Sequence, residues 1–128
     1  MMDAVIAAGE RLADALRAEN EALAALDLTR AAALATRKLQ ATDAFAAATA
    51  AAARLRARPE GALRAETERL ASSLAQLGAE NRRLLEEAIA LQSRVIETIA
   101  GVARPRQGAP GYGAAGRRRG AVQSEAMA

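Results

Sequence analysis

Apolar residues recur at Val5, Leu12, Leu16, Leu23 and Leu26, the one-face spacing of an amphipathic helix with a heptad seam. After Leu26 the phase slips by about one residue, and the seam resumes at Leu34, Ala41, Phe45, Ala48, Ala52 and Leu55. A helix whose seam jumps in this way must twist, kink or break. Asp27 stands at the jump, and its carboxylate can accept from the free amides of a new first turn. A kink or short break near Asp27 is therefore predicted. Asp3 has the same capping chemistry, and its charge suits the positive end of a helix dipole, so the first helix is expected to start there.

The next interruption is Arg58-Pro59-Glu60-Gly61. The residue before a proline is pushed out of helical geometry, and proline itself is favoured in a first helical turn, so a hairpin turn is predicted over these four positions. A second helix then runs from about Glu60 to Ala103 on the seam Leu63, Thr67, Leu70, Leu74, Leu77, Asn81, Leu84, Ala88, Leu91, Val95, Thr98 and Val102. Folding the chain at the turn sets Leu55 against Leu63, Phe45 against Leu74, Leu34 against Leu84 or Leu85, and Leu23 against Val95. Both seams then meet. The predicted fold is all-α: a long antiparallel helical hairpin or coiled coil.

Composition sharpens this picture. Aromatic residues make up 2% of the 128 residues, and the apolar fraction is mostly alanine, which favours long helices over a thick core because fixing alanine costs no side-chain entropy. From Ala103 onward Pro, Gly, Arg, Gln and Ser dominate, a segment unable to bury enough surface to offset its ordering entropy. The expected organisation is a helical domain over 1–103 and a flexible basic tail over 104–128. The tail holds Arg104, Arg106, Arg117, Arg118 and Arg119 against Glu125, so the net charge of +3 resides there and the body is close to neutral.

Catalysis needs tunable groups held in a pocket, and the chain has neither cysteine nor histidine. Its carboxylates, such as Glu66, Glu68, Glu86 and Glu87, lie three or four residues from arginines, the pattern of a solvated helix face. No catalytic residue, metal site or cofactor is expected, and the protein is taken not to be an enzyme. Three arginines without a basic helix face or stacking aromatics are a weak nucleic-acid signal, so Arg117 to Arg119 are read as part of a solvated tail. The longest uncharged stretch within the helices, Ala44 to Ala53, falls well short of the roughly 20 residues needed to span a bilayer. Without an N-terminal signal pattern or a cysteine framework, a cytoplasmic location is expected.

Two features remain. Asn81 stands where the second seam calls for an apolar residue; a buried seam asparagine fixes register or oligomeric state, and the alternative is a grip on a partner's backbone. Beside the seam runs a second stripe of Leu85, Ile89, Ile96 and Ile99, interrupted by Gln92. A two-helix hairpin buries one stripe of a helix but not two adjacent ones. Something further must cover the second stripe: a homodimer partner, the first helix folded back at Asp27, or an amphipathic helix of another protein.

The chain resembles the FlgN family of flagellar export chaperones. The likeness is carried by Leu26-Asp27-Leu28 closing an amphipathic first helix, by the basic pair Arg37-Lys38 in the alanine-rich helix that follows, and by Leu77-Gly78-Ala79-Glu80-Asn81-Arg82-Arg83-Leu84-Leu85, similar to the family's Asn-x-x-Leu-Leu segment. Tyr112-Gly113-Ala114-Ala115-Gly116-Arg117 is similar to a Tyr-Gly-x-x-Gly-Arg ending common there. The likeness runs over about residues 3 to 119. The stretch Ala46 to Ala53 is far richer in alanine than in a typical member. The resemblance implies a cytoplasmic chaperone that binds hook-filament junction (hook-associated) proteins and delivers them to the type III export gate. It implies client binding by the C-terminal helix, here through Asn81, Leu85, Ile89, Gln92, Ile96 and Ile99. The alternative class is an amphipathic coiled-coil protein of phasin type, which coats an apolar or lipid surface without inserting into it.

Overall fold

The computed structural model describes residues 1–103. These form three helices, α1 (Met2–Ala24), α2 (Leu28–Arg54) and α3 (Ala62–Ala103), and there is no strand among the described residues. The expected flexible tail lies outside the described residues. By its contacts the chain divides into two compact units, Met1–Ala90 and one that begins at Leu91.

In the first unit α1 and α2 form an antiparallel pair. The break between them occupies Ala25–Asp27, and Asp27 caps α2 by accepting a hydrogen bond from the Arg30 amide at 3.1 Å. Two backbone bonds close the end of α1, from the Leu26 amide to the Leu23 carbonyl at 3.0 Å and from the Asp27 amide to the Ala22 carbonyl at 2.8 Å. This is the paired arrangement in which the residue past the helix end turns left-handed. That residue is usually glycine; here it is Leu26, with φ +58°. The end of α2 repeats the device, with Arg56 at φ +53° and bonds from Arg56 to Ala53 and from Ala57 to Ala52. A left-handed residue with a Cβ costs about 1–2 kcal/mol. Leu26→Gly is therefore expected to raise stability by about 1 kcal/mol in urea denaturation, and Arg56→Gly by a similar amount.

Four expectations are corrected: the starts of α1 and α3 and the pairings of Leu23 and Leu55. α1 starts at Met2 with no side-chain cap, because the Met1 carbonyl already accepts from the Val5 amide; Asp3 lies inside the first turn, where it acts only on the dipole. α3 starts at Ala62 and not Glu60, since Gly61 holds φ +59° and no helix runs through a left-handed residue. The fold-back of α1 at Asp27, left open by the sequence, is the arrangement found. Leu23 accordingly packs with Ala22, Ala31, Leu84 and Ala88, and the Leu23 to Val95 pairing is replaced. Leu34 and Leu85 both pack against this cluster, and Lys38 of α2 reaches Asn81 of α3. Leu55, paired with Leu63 in the sequence reading, lies past the end of α2 and is exposed.

α1 is the element around which this unit packs. Of the twelve buried hydrophobic residues among those described, eight lie on it: Val5, Ile6, Ala8, Ala13, Ala15, Leu16, Ala22 and Leu23. At 100° per residue these positions, with Gly9, Glu19 and Asn20, sweep an arc of roughly 200°, too wide for one neighbour and suited to the groove between two. The small residues let the axes approach closely. At Gly9 a Cβ would stand 2.6 Å from Leu70 Cδ2 and 3.1 Å from Phe45 Cε1, so α2 and α3 both close on this point. Gly9→Leu is expected to lower stability by about 2 kcal/mol through overpacking, read as a shift in the denaturation midpoint.

The described part of the second unit is the continuation of α3 from Leu91 to Ala103. Val95, Ile96, Ile99 and Val102 are all exposed there.

Candidate functional site

Among the described residues, the first unit has one buried polar layer. Glu19 and Asn20 enter it from α1, Lys38 from α2 and Asn81 from α3. Asn81 Nδ2 donates to Glu19 Oε1 at 2.6 Å and to Asn20 Oδ1 at 2.8 Å, while its Oδ1 accepts from Lys38 Nζ at 3.2 Å. Lys38 Nζ also stands 2.9 Å from Glu19 Oε1 as an ion pair. Asn20 Nδ2 donates to the Leu77 carbonyl of α3 at 3.3 Å. A charge taken out of water is tolerated when it is paired and hydrogen-bonded, and Glu19, 2% exposed, meets both conditions.

This layer decides between the two readings of Asn81. The residue is buried, and both of its amide hydrogens and its oxygen are engaged inside the bundle. It holds the register of three helices, leaving no donor for a client's backbone. Its partners were legible in the pattern. Glu19 interrupts the seam between Leu16 and Leu23, and Lys38 interrupts it between Leu34 and Ala41. The three seam interruptions fall at one level because they satisfy one another. Sequence reasoning singled out Asn81 and the basic pair but did not join them to Glu19.

The remaining expected binding residues separate by exposure. Leu85 is partly buried against the cluster of Leu23, Ala31, Leu84 and Ala88. Folding back α1 therefore covers the start of the second stripe. Ile89, Ile96 and Ile99 remain 62%, 65% and 63% exposed, and Gln92 is exposed beside them. Val95 and Val102 widen the apolar face. Within the second unit, Val102, Val95, Ile99, Gln92 and Ile96 span about 120° on a helical projection, with Arg94 and Glu97 on the opposite side. The face thus carries one amide and no charge.

Opposite the buried layer, α3 bears a surface clamp in which Arg83 bonds Glu80 at 2.8 Å and Glu87 at 2.6 Å. The hydrogen bond to Glu80 and the two carboxylate charges push the Arg83 pKa up from its ordinary value. Among the described residues no group of three or more carboxylates is placed to hold a metal ion, and no helix is long and apolar enough to cross a membrane.

Fold and surface define an all-helical bundle that displays an apolar face on its longest helix. Comparison with protein-family models, with curated proteins and with solved structures gives no match for the chain.

Proposed function

We propose that the protein is a cytoplasmic export chaperone of the FlgN type, which binds the amphipathic terminal helices of hook-associated junction proteins and hands them to the type III export gate. The observation that carries this reading is the exposed apolar face formed in the second unit by Val95, Ile96, Ile99 and Val102. Isolated apolar residues on a surface need no explanation, but a contiguous apolar helix face suits an amphipathic helix laid alongside. Side chains of this size contribute about 1.5–3 kcal/mol each on full burial, enough for several together to offset the entropy of association. The likeness of Asn81 to Leu85 and of the Leu26-Asp27-Leu28 break to the family's segments supports the same reading. No covalent step is needed: the chaperone masks an aggregation-prone helix until export.

The test is titration of the full chain with a synthetic terminal helix of a hook-filament junction protein, followed by calorimetry, alongside co-sedimentation with neutral and anionic lipid vesicles. Saturable binding of the peptide without vesicle binding is the expected result. Vesicle binding with no peptide binding would move the protein to the surface-coating class.

A further inference from the structure

The connection between α1 and α2 is three residues long, Ala25–Asp27, and Leu26 within it is held left-handed. The seam changes phase there and Asp27 favours a cap, but no proline or glycine bars a continuous helix. Ala24, Ala25, Leu26 and Leu28 are good helix formers, and Asp27 is tolerated. Straightening would release the strain at Leu26, and it would exchange the two closing bonds and the Asp27 cap for ordinary helical ones. The other connection differs. Pro59 has no amide to donate, and its ring would clash with the Leu55 carbonyl one turn back, so α2 and α3 cannot merge into one helix.

Opening the first hinge would strip α1 from its groove and expose eight of the twelve buried hydrophobic residues. It would also leave Lys38 and Asn81 without Glu19 and Asn20. A foreign helix would have to match small residues at Ala8, Gly9, Ala13, Ala15 and Ala22 and also supply a carboxylate at the level of Glu19. A second copy of this chain does so by construction. Short hinges under strain are where identical elements change places between protomers.

The geometry points to exchange of α1 between two copies of the chain. Ala25–Asp27 straightens, α1 and α2 become one helix, and each α1 fills the groove between α2 and α3 of the other copy. Every contact of α1 outside the hinge is kept, with Lys38 and Asn81 of one copy meeting Glu19 and Asn20 of the second. The exchanged dimer does not depend on the client-binding reading, since it uses the buried groove and not the exposed face of α3.

Two measurements on the full chain test this. Light scattering after size exclusion is expected to show a dimer that grows with concentration. Leu26→Gly should weaken it about a hundredfold, tenfold for each hinge, because glycine removes the strain that opening relieves and is itself poor in a continuous helix. The second uses charge reversal. Glu19→Lys and Lys38→Glu chains each mismatch the polar layer when closed. In an exchanged heterodimer the introduced lysine of one chain meets the introduced glutamate of the other, and the unaltered Glu19 meets the unaltered Lys38. Mixing the two chains should give a one-to-one heterodimer that melts well above either alone. A wild-type chain that stays monomeric at millimolar concentration overturns the proposal. So does a dimer that is indifferent to Leu26→Gly, or a mixture in which the two reversed chains keep their separate melting curves.

Discussion

Lys38→Met is expected to lower stability by about 3 kcal/mol and the melting temperature by about 15 °C. The loss comes from what stays behind. The Lys38 side chain is 24% exposed and that of Glu19 only 3%, so removing the ammonium leaves a carboxylate out of reach of water, held by Asn81 alone. Asn81 Oδ1 loses its donor in the same step. Breaking a buried pair from one side is far more costly than replacing both partners, because the second change removes the stranded charge. Glu19→Leu combined with Lys38→Met should therefore recover most of the stability. A double-mutant cycle by urea denaturation reads the difference directly. A single Lys38→Met variant within 0.5 kcal/mol of wild type, on the order of an ordinary surface substitution, would mean the layer contributes to register but not to energy.

The second large effect concerns the exposed face of α3. Ile89→Ser combined with Ile96→Ser should leave helicity and the melting curve near wild type, since both side chains are more than 60% exposed and serine lowers helix propensity only slightly. The proposed function predicts that binding of a junction-protein terminal helix falls by about 4 kcal/mol, because truncating a central apolar anchor typically costs about 2 kcal/mol. That is close to a thousandfold in affinity. Circular dichroism and calorimetric titration on one preparation separate the two effects. Unchanged affinity in a folded double variant would place the client elsewhere and refute the site. Leu85→Ser makes a useful contrast: Leu85 packs against the bundle cluster, so its truncation should lower stability as well as any binding.

Much of the fold can be read from local pattern. The break at Asp27 follows from the phase slip in the heptad seam together with a capping residue, and both appear in the structure at that place. The turn before α3 follows from Pro59 and Gly61, though the start of the helix moves to Ala62 because Gly61 takes the left-handed conformation. That α2 and α3 come together at this level, where Lys38 meets Asn81, follows from register. The direction of α1 after the break does not. A seam shows that a helix has an apolar side, and it does not show which neighbour covers it. The two left-handed residues, Leu26 and Arg56, were equally hidden, since neither is the glycine or asparagine that normally marks such a position.

The candidate site divides along the same line. That Ile89, Ile96 and Ile99 form a stripe beside the seam is a property of helical spacing and was legible residue by residue. That Leu85 leaves the stripe, and that Asn81 belongs to a buried layer and not to a binding surface, was decided by α1 folding back over them. By itself the sequence determined three things: that the body is helical, that it breaks at Asp27 and again before α3, although α2 already ends at Arg54, and which residues face the same way. These follow from short-range sterics, capping and periodicity, which act within a few residues. Only the tertiary structure decided that α1 fills the groove between α2 and α3, that Glu19, Asn20, Lys38 and Asn81 meet at one level, and that Ile89 in the first unit and Val95, Ile96, Ile99 and Val102 in the second are exposed. The physical reason is that hydrophobic burial has no direction of its own. A choice among apolar faces is made by shape, by how closely small residues such as Gly9 let helices approach, and by which polar groups would otherwise be buried unpaired.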